Sequence, residues 1–132
     1  GKYVAAQLIK AMLRADLAIN GARILILGMT FKENCPDLRN TRVVDVIREL
    51  EDYGALVDVH DAYADPEQAK EEYDIELIKA LSDNQYDAVL LAVPHETYRD
   101  MGASTVRKFG HARSIFFDLK SCFPTRDSQL RL

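Results

Sequence analysis

Residues 23–42 read Arg23-Ile24-Leu25-Ile26-Leu27-Gly28-Met29-Thr30-Phe31-Lys32-Glu33-Asn34-Cys35-Pro36-Asp37-Leu38-Arg39-Asn40-Thr41-Arg42. The unbroken apolar run 24–27 predicts a strand covered on both faces, as in a parallel sheet between two layers of helices. Gly28 ends this strand, and after a polar loop Asn40 or Thr41 is placed to cap a helix. The apolar residues of that helix recur at helical spacing, at Val43, Val46, Ile47 and Leu50. Strand, loop and helix together predict the opening of a βαβ unit.

The rest of the chain alternates between the same two patterns. Helices are predicted over 2–17, 66–73, 96–101 and 104–109, further strands over 55–60, 87–93 and 114–117, and an irregular tail over 121–132. Four apolar strands that alternate with helices predict an α/β fold, a Rossmann-like doubly wound parallel sheet preceded by one helix.

The composition is that of one globular domain. The chain has 132 residues, of which 48% are apolar and 29% charged, enough for one core and too few for two full domains. A net charge of −4 argues against binding to nucleic acid or to an anionic membrane surface. No apolar run approaches the ~20 residues that cross a bilayer, and no secretory signal pattern occurs, so we expect a cytoplasmic protein.

Two features of the chain bear on its assembly and its redox state. It opens on Gly1 without an initiator Met and enters directly on a helical pattern, which is typical of a fragment of a longer protein. Part of that helix's apolar stripe is expected to lack its natural partner, which favours a homodimer or a higher homo-oligomer. Cys35 and Cys122 have no metal-ligand spacing; reduced thiols are favoured, and a disulfide between them stays open.

Cations collect where a ligand is expected. In open parallel sheets ligands bind at the carboxyl ends of the strands, which here carry Lys32, Asp61, His95 and Lys120. Arg39 and Arg42 precede the nearby helix and add positive charge. The pattern predicts a site for a phosphate or diphosphate. A G-x-G-x-x-G loop is absent, because bulky residues follow Gly28, so binding of NAD in the usual Rossmann manner is not expected.

The stretch Gly28-Met29-Thr30-Phe31-Lys32, followed by Asp37-Leu38-Arg39, resembles the G-x-x-F-K-x-x-x-x-D-x-R signature of the UDP-glucose/GDP-mannose dehydrogenase family, in its C-terminal domain. The resemblance extends to the entry helix and to the strand ends at 58–61, 92–95 and 118–120. Residues 31–41 are most similar to the branch that oxidises UDP-N-acetylhexosamines for capsule and O-antigen sugars, including the Vi polysaccharide.

The resemblance implies an NAD-dependent, four-electron oxidation of the sugar C6 alcohol to a carboxylate, which yields a UDP-uronic acid. It implies that residues 1–20 are the end of a central linking helix and that 21–132 are the C-terminal UDP-sugar-binding domain. NAD would then be bound mainly by an N-terminal domain outside this chain, together with the catalytic cysteine. We therefore expect no catalytic residue and no metal site in this chain, and no activity from it alone.

Four residues match family positions that contact ligands. Phe31, Lys32 and Lys120 match residues that reach the UDP-sugar, although Lys120 stands where the family commonly has Arg and so offers a point charge instead of a planar fork. Arg39 matches a residue that meets NAD across the domain interface.

Simpler roles remain open at several positions. For Phe31 the alternative is packing in the hydrophobic core. For Arg39 it is an ion pair within its own loop, and for Arg42 it is an ordinary surface position. A histidine that follows a strand-ending proline, as His95 does, more often forms structural hydrogen bonds than contacts a ligand. Asp61 is weak evidence for a ribose contact. The run Ser121-Cys122-Phe123-Pro124 imitates the family's catalytic-cysteine segment, but it follows the last strand and is interpreted as coincidence.

Competing functions also stay open. The chain is interpreted as the UDP-binding domain of a UDP-N-acetylhexosamine 6-dehydrogenase, with UDP-glucose and GDP-mannose as rival substrates. The alternative from another class is a non-catalytic nucleotide-binding or assembly module, in which the first helix drives dimerisation.

Overall fold

A computed structural model describes all of residues 1–132 and contains five strands and five helices. The strands are β1 Arg23–Leu27, β2 Leu56–His60, β3 Tyr86–Leu91, β4 Gly110–Asp118 and β5 Leu130–Arg131. The helices are α1 Lys2–Arg14, α2 Val43–Asp52, α3 Pro66–Tyr73, α4 Glu96–Met101 and α5 Ala103–Arg107, with a 3₁₀ turn at Thr125–Asp127. No helix is long and apolar enough to cross a membrane.

The five strands form one parallel sheet in the order β2-β1-β3-β4-β5. The order reverses between β1 and β3, where the chain leaves the β2 side and crosses to the other half of the sheet. Leu27 lies opposite His60 on one side and opposite Leu91 on the other, so β1, β2 and β3 end at one level. The predicted Rossmann-like doubly wound fold is confirmed, and its switch point lies at the end of β1.

The apolar run of β1 is buried on both faces, as its pattern predicts. Ile24 and Ile26 join the larger core cluster under α1 and α2, while Leu25 and Leu27 join the cluster that contains Tyr98. These four side chains are inaccessible to solvent, whereas Arg23 at the start of β1 is exposed. At roughly 1.5–3 kcal/mol for each fully buried side chain, this strand anchors both halves of the core.

Helix α1 packs against α2 and β4 within the chain. Ala5, Leu8, Ile9 and Met12 are buried in the larger core cluster. The expectation that the stripe lacks a partner is therefore wrong in part, because α2 and β4 cover it; Val4 and Ala15 lie only half-buried at its margins.

Two local predictions are also corrected. The tail 121–132 is not irregular: β5 pairs with Phe117 and Asp118, and the Gln129 side chain accepts a hydrogen bond from Phe116 N. A strand of two residues is too short to show a hydrophobic period.

Helix α2 starts at Val43, whose N–H donates to Thr41 Oγ1, whereas Asn40 adopts a left-handed backbone at φ 58° instead of capping it.

Candidate functional site

The loop after β1 begins with a turn that only glycine fits. Gly28 has φ +88°, and its N–H donates to His60 O at 2.8 Å. A Cβ on Gly28 would lie 2.6 Å from both the Cβ and the carbonyl oxygen of Val93, which follows β3. The chain therefore passes from β1 over the end of β3 at backbone contact distance, and this close approach brings the 29–34 loop to the switch point.

Asp61, just after β2, fastens that loop. Its buried carboxylate accepts hydrogen bonds from four backbone N–H groups, those of Met29, Thr30, Tyr63 and Ala64, at 2.7–3.2 Å. Burial acts to raise the pKa of Asp61, but the hydrogen bonds from His95 and from the backbone outweigh it and lower the pKa to about 2. Because its oxygens face the loop and the structure buries them, Asp61 acts as an anchor and not as a ribose ligand.

His95, which follows β3, lies beside Asp61 and is inaccessible to solvent. Its Nε2 lies 3.0 Å from Asp61 Oδ2 and 3.1 Å from Thr30 Oγ1, and its Nδ1 accepts the backbone N–H of Asn34 at 2.9 Å. Asn34 Oδ1 in turn accepts from Glu96 N at the start of α4. The structural interpretation of His95 is thus the one that its contacts support.

Between these anchors, residues 31–33 stand out toward solvent. Phe31 N donates to Asp37 O at 2.8 Å, and the Thr30 hydroxyl donates to Lys32 O at 3.0 Å. Phe31 is 55% exposed, so the alternative in which it plugs the core is wrong. The loop presents an aromatic ring and a lysine on a backbone that is held at both ends.

A second loop, after β4, presents Lys120. Asp118 is fully buried and accepts hydrogen bonds from the backbone N–H groups of Cys122 and Phe123 at 3.1 and 2.9 Å. Leu119 N donates to Leu91 O, which ties the same turn to the end of β3. Lys120 is exposed at the top of this turn.

The two loops border one cavity of about 1020 Å³, called here the switch-point cavity. Charged or aromatic side chains at its rim belong to Phe31, Lys32, Glu33, Arg42, Arg99 and Lys120. Its apolar wall is made by Val4, Val43, Val46, Ala92, Val93, Pro94 and Leu119. The structure therefore brings Phe31, Lys32 and Lys120 together, from positions far apart in the sequence, as the sheet geometry predicts.

The charge at this cavity is unbalanced. No carboxylate oxygen lies within 4.0 Å of the side-chain nitrogens of Lys32, Arg42 or Lys120, and only Arg99 has a partner, Glu33 at 3.7 Å. Both members of that pair are about half exposed, which makes the pair weak. On a chain with a net charge of −4, three unpaired cations around one concave surface favour an anionic ligand.

Arg39 does not border this cavity. Its guanidinium forms a two-pronged contact with Asp37, at 3.0 Å for each prong, and its side chain is 77% exposed. This hydrogen bonding lowers the pKa of Asp37 and raises that of Arg39. The ion pair within the loop is therefore what the structure contains, and the contact with NAD stays a prediction.

Only one of the two arginines at the site has a sequence signal. The sequence predicts Arg42 among the cations near the strand ends, with an ordinary surface position as the alternative, and the structure places it at the cavity. Arg99 lies on α4, and nothing in its sequence neighbourhood indicates that α4 turns toward the loop after β1.

Cys122 borders the cavity but is poorly suited to act as a nucleophile. Burial is the main cause that raises the pKa of the Cys122 thiol to about 12, and the Asp118 carboxylate beside it is the second cause. Cys35 and Cys122 are both free thiols, which answers the open question of a disulfide in this structure. The resemblance of 121–124 to a catalytic segment is not accompanied by an activated thiol.

Comparison with known proteins gives consistent results. Residues 25–125 match the model of the UDP-glucose/GDP-mannose dehydrogenase family, UDP binding domain. The chain is 48% identical over all 132 residues to UDP-N-acetyl-D-glucosamine 6-dehydrogenase of Pseudomonas aeruginosa, and 43% identical to the enzyme of that name from Salmonella typhi. It covers 31% of the length of each of these relatives.

Solved structures share the fold. NDP-N-acetyl-D-galactosaminuronic acid dehydrogenase of Methanosarcina mazei superposes with a TM-score of 0.79 at 23% identity, over 96% of this chain and 26% of that one. A UDP-glucose dehydrogenase of Pyrobaculum islandicum gives 0.70 at 26% identity, over 98% of this chain and 28% of that one.

Proposed function

This chain belongs to the UDP-glucose/GDP-mannose dehydrogenase family, as its UDP-binding domain, and on that premise we propose that the switch-point cavity binds the diphosphate of a UDP-sugar. Lys32 and Lys120 contact the phosphates, and Phe31 lends apolar surface to the ligand. Arg42 adds positive charge at the start of α2, where the helix dipole also favours an anion.

The single observation that carries this proposal is the group of three cations without carboxylate partners around one cavity. Each charge-assisted hydrogen bond to a phosphate contributes roughly 1.5–3 kcal/mol. Two or three such bonds support a complex of modest affinity, because this chain supplies only part of the cleft in a longer enzyme.

For the substrate, we propose a UDP-N-acetylhexosamine that is oxidised at C6 to the carboxylate, for surface polysaccharide synthesis. Two relatives that match this chain over all of its 132 residues are both named UDP-N-acetyl-D-glucosamine 6-dehydrogenase. Enzymes named UDP-glucose 6-dehydrogenase match over only 50 and 52 residues. UDP-glucose is therefore the second candidate.

The remaining components of the reaction lie outside this chain. NAD binds mainly to an N-terminal domain, Arg39 reaches it across the interface, and the chain alone is inactive. The fragment works in the cytoplasm, within a homo-oligomer, together with its own N-terminal and central domains. An assembly module without a ligand is less favoured, because α1 is already covered by α2 and β4.

Calorimetric titration tests the binding proposal. The chain is titrated with UDP, with ADP and NAD for comparison, alongside Lys32→Ala. Lys10→Ala is the matched control, because Lys10 is an exposed lysine on α1 outside the cavity. We expect UDP to bind in preference to ADP and NAD, Lys32→Ala to weaken UDP about tenfold or more, and Lys10→Ala to have no effect. No response to Lys32→Ala would refute the site, and equal binding of ADP would refute selectivity for UDP.

A second experiment tests the substrate. A full-length dehydrogenase that contains this chain is assayed for NADH formation with UDP-N-acetylglucosamine and with UDP-glucose. A higher kcat/KM for the N-acetylated sugar is expected, and the reverse order would move the chain to the UDP-glucose branch.

A further inference from the structure

We propose that His95, which does not border the switch-point cavity, is a positioning residue that holds Lys32 in place for the ligand. This inference rests on the proposed binding of UDP. It assigns a role in that binding to a buried side chain that makes no contact with the ligand.

The hydrogen bonds of His95 select one tautomer. Because Nδ1 accepts the N–H of Asn34, the proton of the neutral ring lies on Nε2. Nε2–H then points to the pair of acceptors within reach, Asp61 Oδ2 at 3.0 Å and Thr30 Oγ1 at 3.1 Å. Both ring nitrogens are thus used, one toward each end of the loop.

The Thr30 hydroxyl extends this network to the residue that carries the cation. It donates its only proton to Lys32 O at 3.0 Å, so its contact with His95 uses an oxygen lone pair. The sequence of bonds from Asp61 through His95 and Thr30 ends on the Lys32 backbone. The His95 ring therefore hydrogen-bonds to Thr30 and to Asn34, the two residues that flank the segment 31–33.

This arrangement matters for binding because the side chains of residues 31–33 are exposed. Phe31 and Lys32 have few packing contacts of their own to fix them, so the loop backbone sets where they project. A loop that is ordered before the ligand arrives loses less conformational freedom on binding. Without His95 the ligand would have to order the loop itself, and affinity would fall.

A purely structural role for His95 predicts a different result. The ring also packs edge-on against Tyr63, with centroids 4.5 Å apart, and near Tyr98. If packing were its whole contribution, substitution would lower stability without a specific effect on UDP. The test therefore separates stability from affinity.

Three variants divide the functions of the ring. His95→Asn keeps an acceptor near the position of Nδ1, His95→Gln keeps a donor near that of Nε2, and His95→Phe keeps an aromatic ring and loses both. We expect UDP affinity to fall about tenfold in His95→Phe and by a smaller factor in the other two. Amide hydrogen exchange at 31–34 in the free protein should quicken in the same order. Val106→Ala is the control for stability, because Val106 is fully buried and does not border the switch-point cavity.

A double-mutant cycle with Lys32→Ala makes the test specific. If His95 acts by positioning Lys32, the His95→Asn substitution should change UDP affinity less in the Lys32→Ala background than in the wild type. The inference is overturned if the His95 variants lower the melting temperature as Val106→Ala does and leave UDP affinity unchanged, or if the effects are additive. A chain in which Lys32→Ala itself has no effect refutes the proposed site, and this inference with it.

Discussion

Asp61 Oδ2 lies 3.0 Å from His95 Nε2, and both side chains are completely buried. Asp61 follows β2 and His95 follows β3, with β1 between these strands in the sheet. The pair therefore bridges the end of β1, over which the 28–30 backbone passes. Lys32, which carries the proposed ligand contact, is exposed because a buried polar pair holds the backbone beneath it.

Acid should weaken the fold through Asp61. The pKa of Asp61 is about 2 in the folded chain, below its value of about 3.9 when unfolded, so its stabilisation is complete above pH 4 and disappears as the pH falls toward 2. We expect Asp61→Asn to have a lower free energy of unfolding than the wild type at neutral pH. Between pH 4 and pH 2 this free energy should fall by about 2 kcal/mol less in Asp61→Asn than in the wild type. Urea unfolding at several pH values measures the free energy, and an equal fall in the two proteins would contradict the assignment.

Gly28→Ala should destabilise the chain severely. The new Cβ would meet Val93 at 2.6 Å on a backbone with φ +88°, so clash and strain add together. We expect a loss of roughly 3 kcal/mol or more. Gly21→Ala is the matched control, because Gly21 has φ +82° and a Cβ added to it would meet open space. We expect this variant to lose only about 1–2 kcal/mol of unfolding free energy. Equal losses in thermal or urea unfolding would show that the close approach to Val93 is not important.

The Cys122 thiol should resist alkylation. With a pKa of about 12, roughly one ten-thousandth of it is thiolate at pH 8. In a Cys35→Ser background, where Cys122 is the remaining cysteine, iodoacetamide should react far more slowly than with a cysteine peptide, and urea should abolish the difference. A rate equal to that of the peptide in the folded protein would indicate an activated thiol and reopen the resemblance to the catalytic segment.

Lys120 and Arg39 should differ in their effect on UDP. Lys120 borders the cavity without a carboxylate partner, whereas Arg39 lies outside it and pairs with Asp37. We expect Lys120→Ala to weaken UDP binding about tenfold and Arg39→Ala to leave both UDP affinity and the melting temperature nearly unchanged, because exposed ion pairs contribute little. A loss of UDP affinity in Arg39→Ala that equals the loss in Lys120→Ala would contradict this geometry.

The elements that were predictable from sequence are those with a strong local signal. The continuous apolar run of β1 is typical of burial on two faces, and Asp65 followed by Pro66 marks the start of α3, which begins where predicted. Because the strand ends lie at one edge of a parallel sheet, the sequence also predicts that Lys32 and Lys120 lie at one site.

The features that escaped prediction depend on contacts between distant parts of the chain. Arg99 reaches the site only because α4 turns toward the loop after β1, and His95 meets Asp61 across 34 positions of sequence. The cover over α1 and the pairing of β5 also arise from tertiary packing, for which a short segment carries no periodic signal.

The most direct test of the account is to map UDP binding by NMR on the isotopically labelled chain. The account predicts that the largest amide shift changes occur at 30–34 and 119–122, and that in Lys32→Ala they need about tenfold more UDP, or more, to reach saturation. Changes centred on the opposite end of the sheet, around Arg107 and Lys108 just before β4, would contradict a diphosphate site at the switch point, and an equal response to ADP would contradict selectivity for UDP.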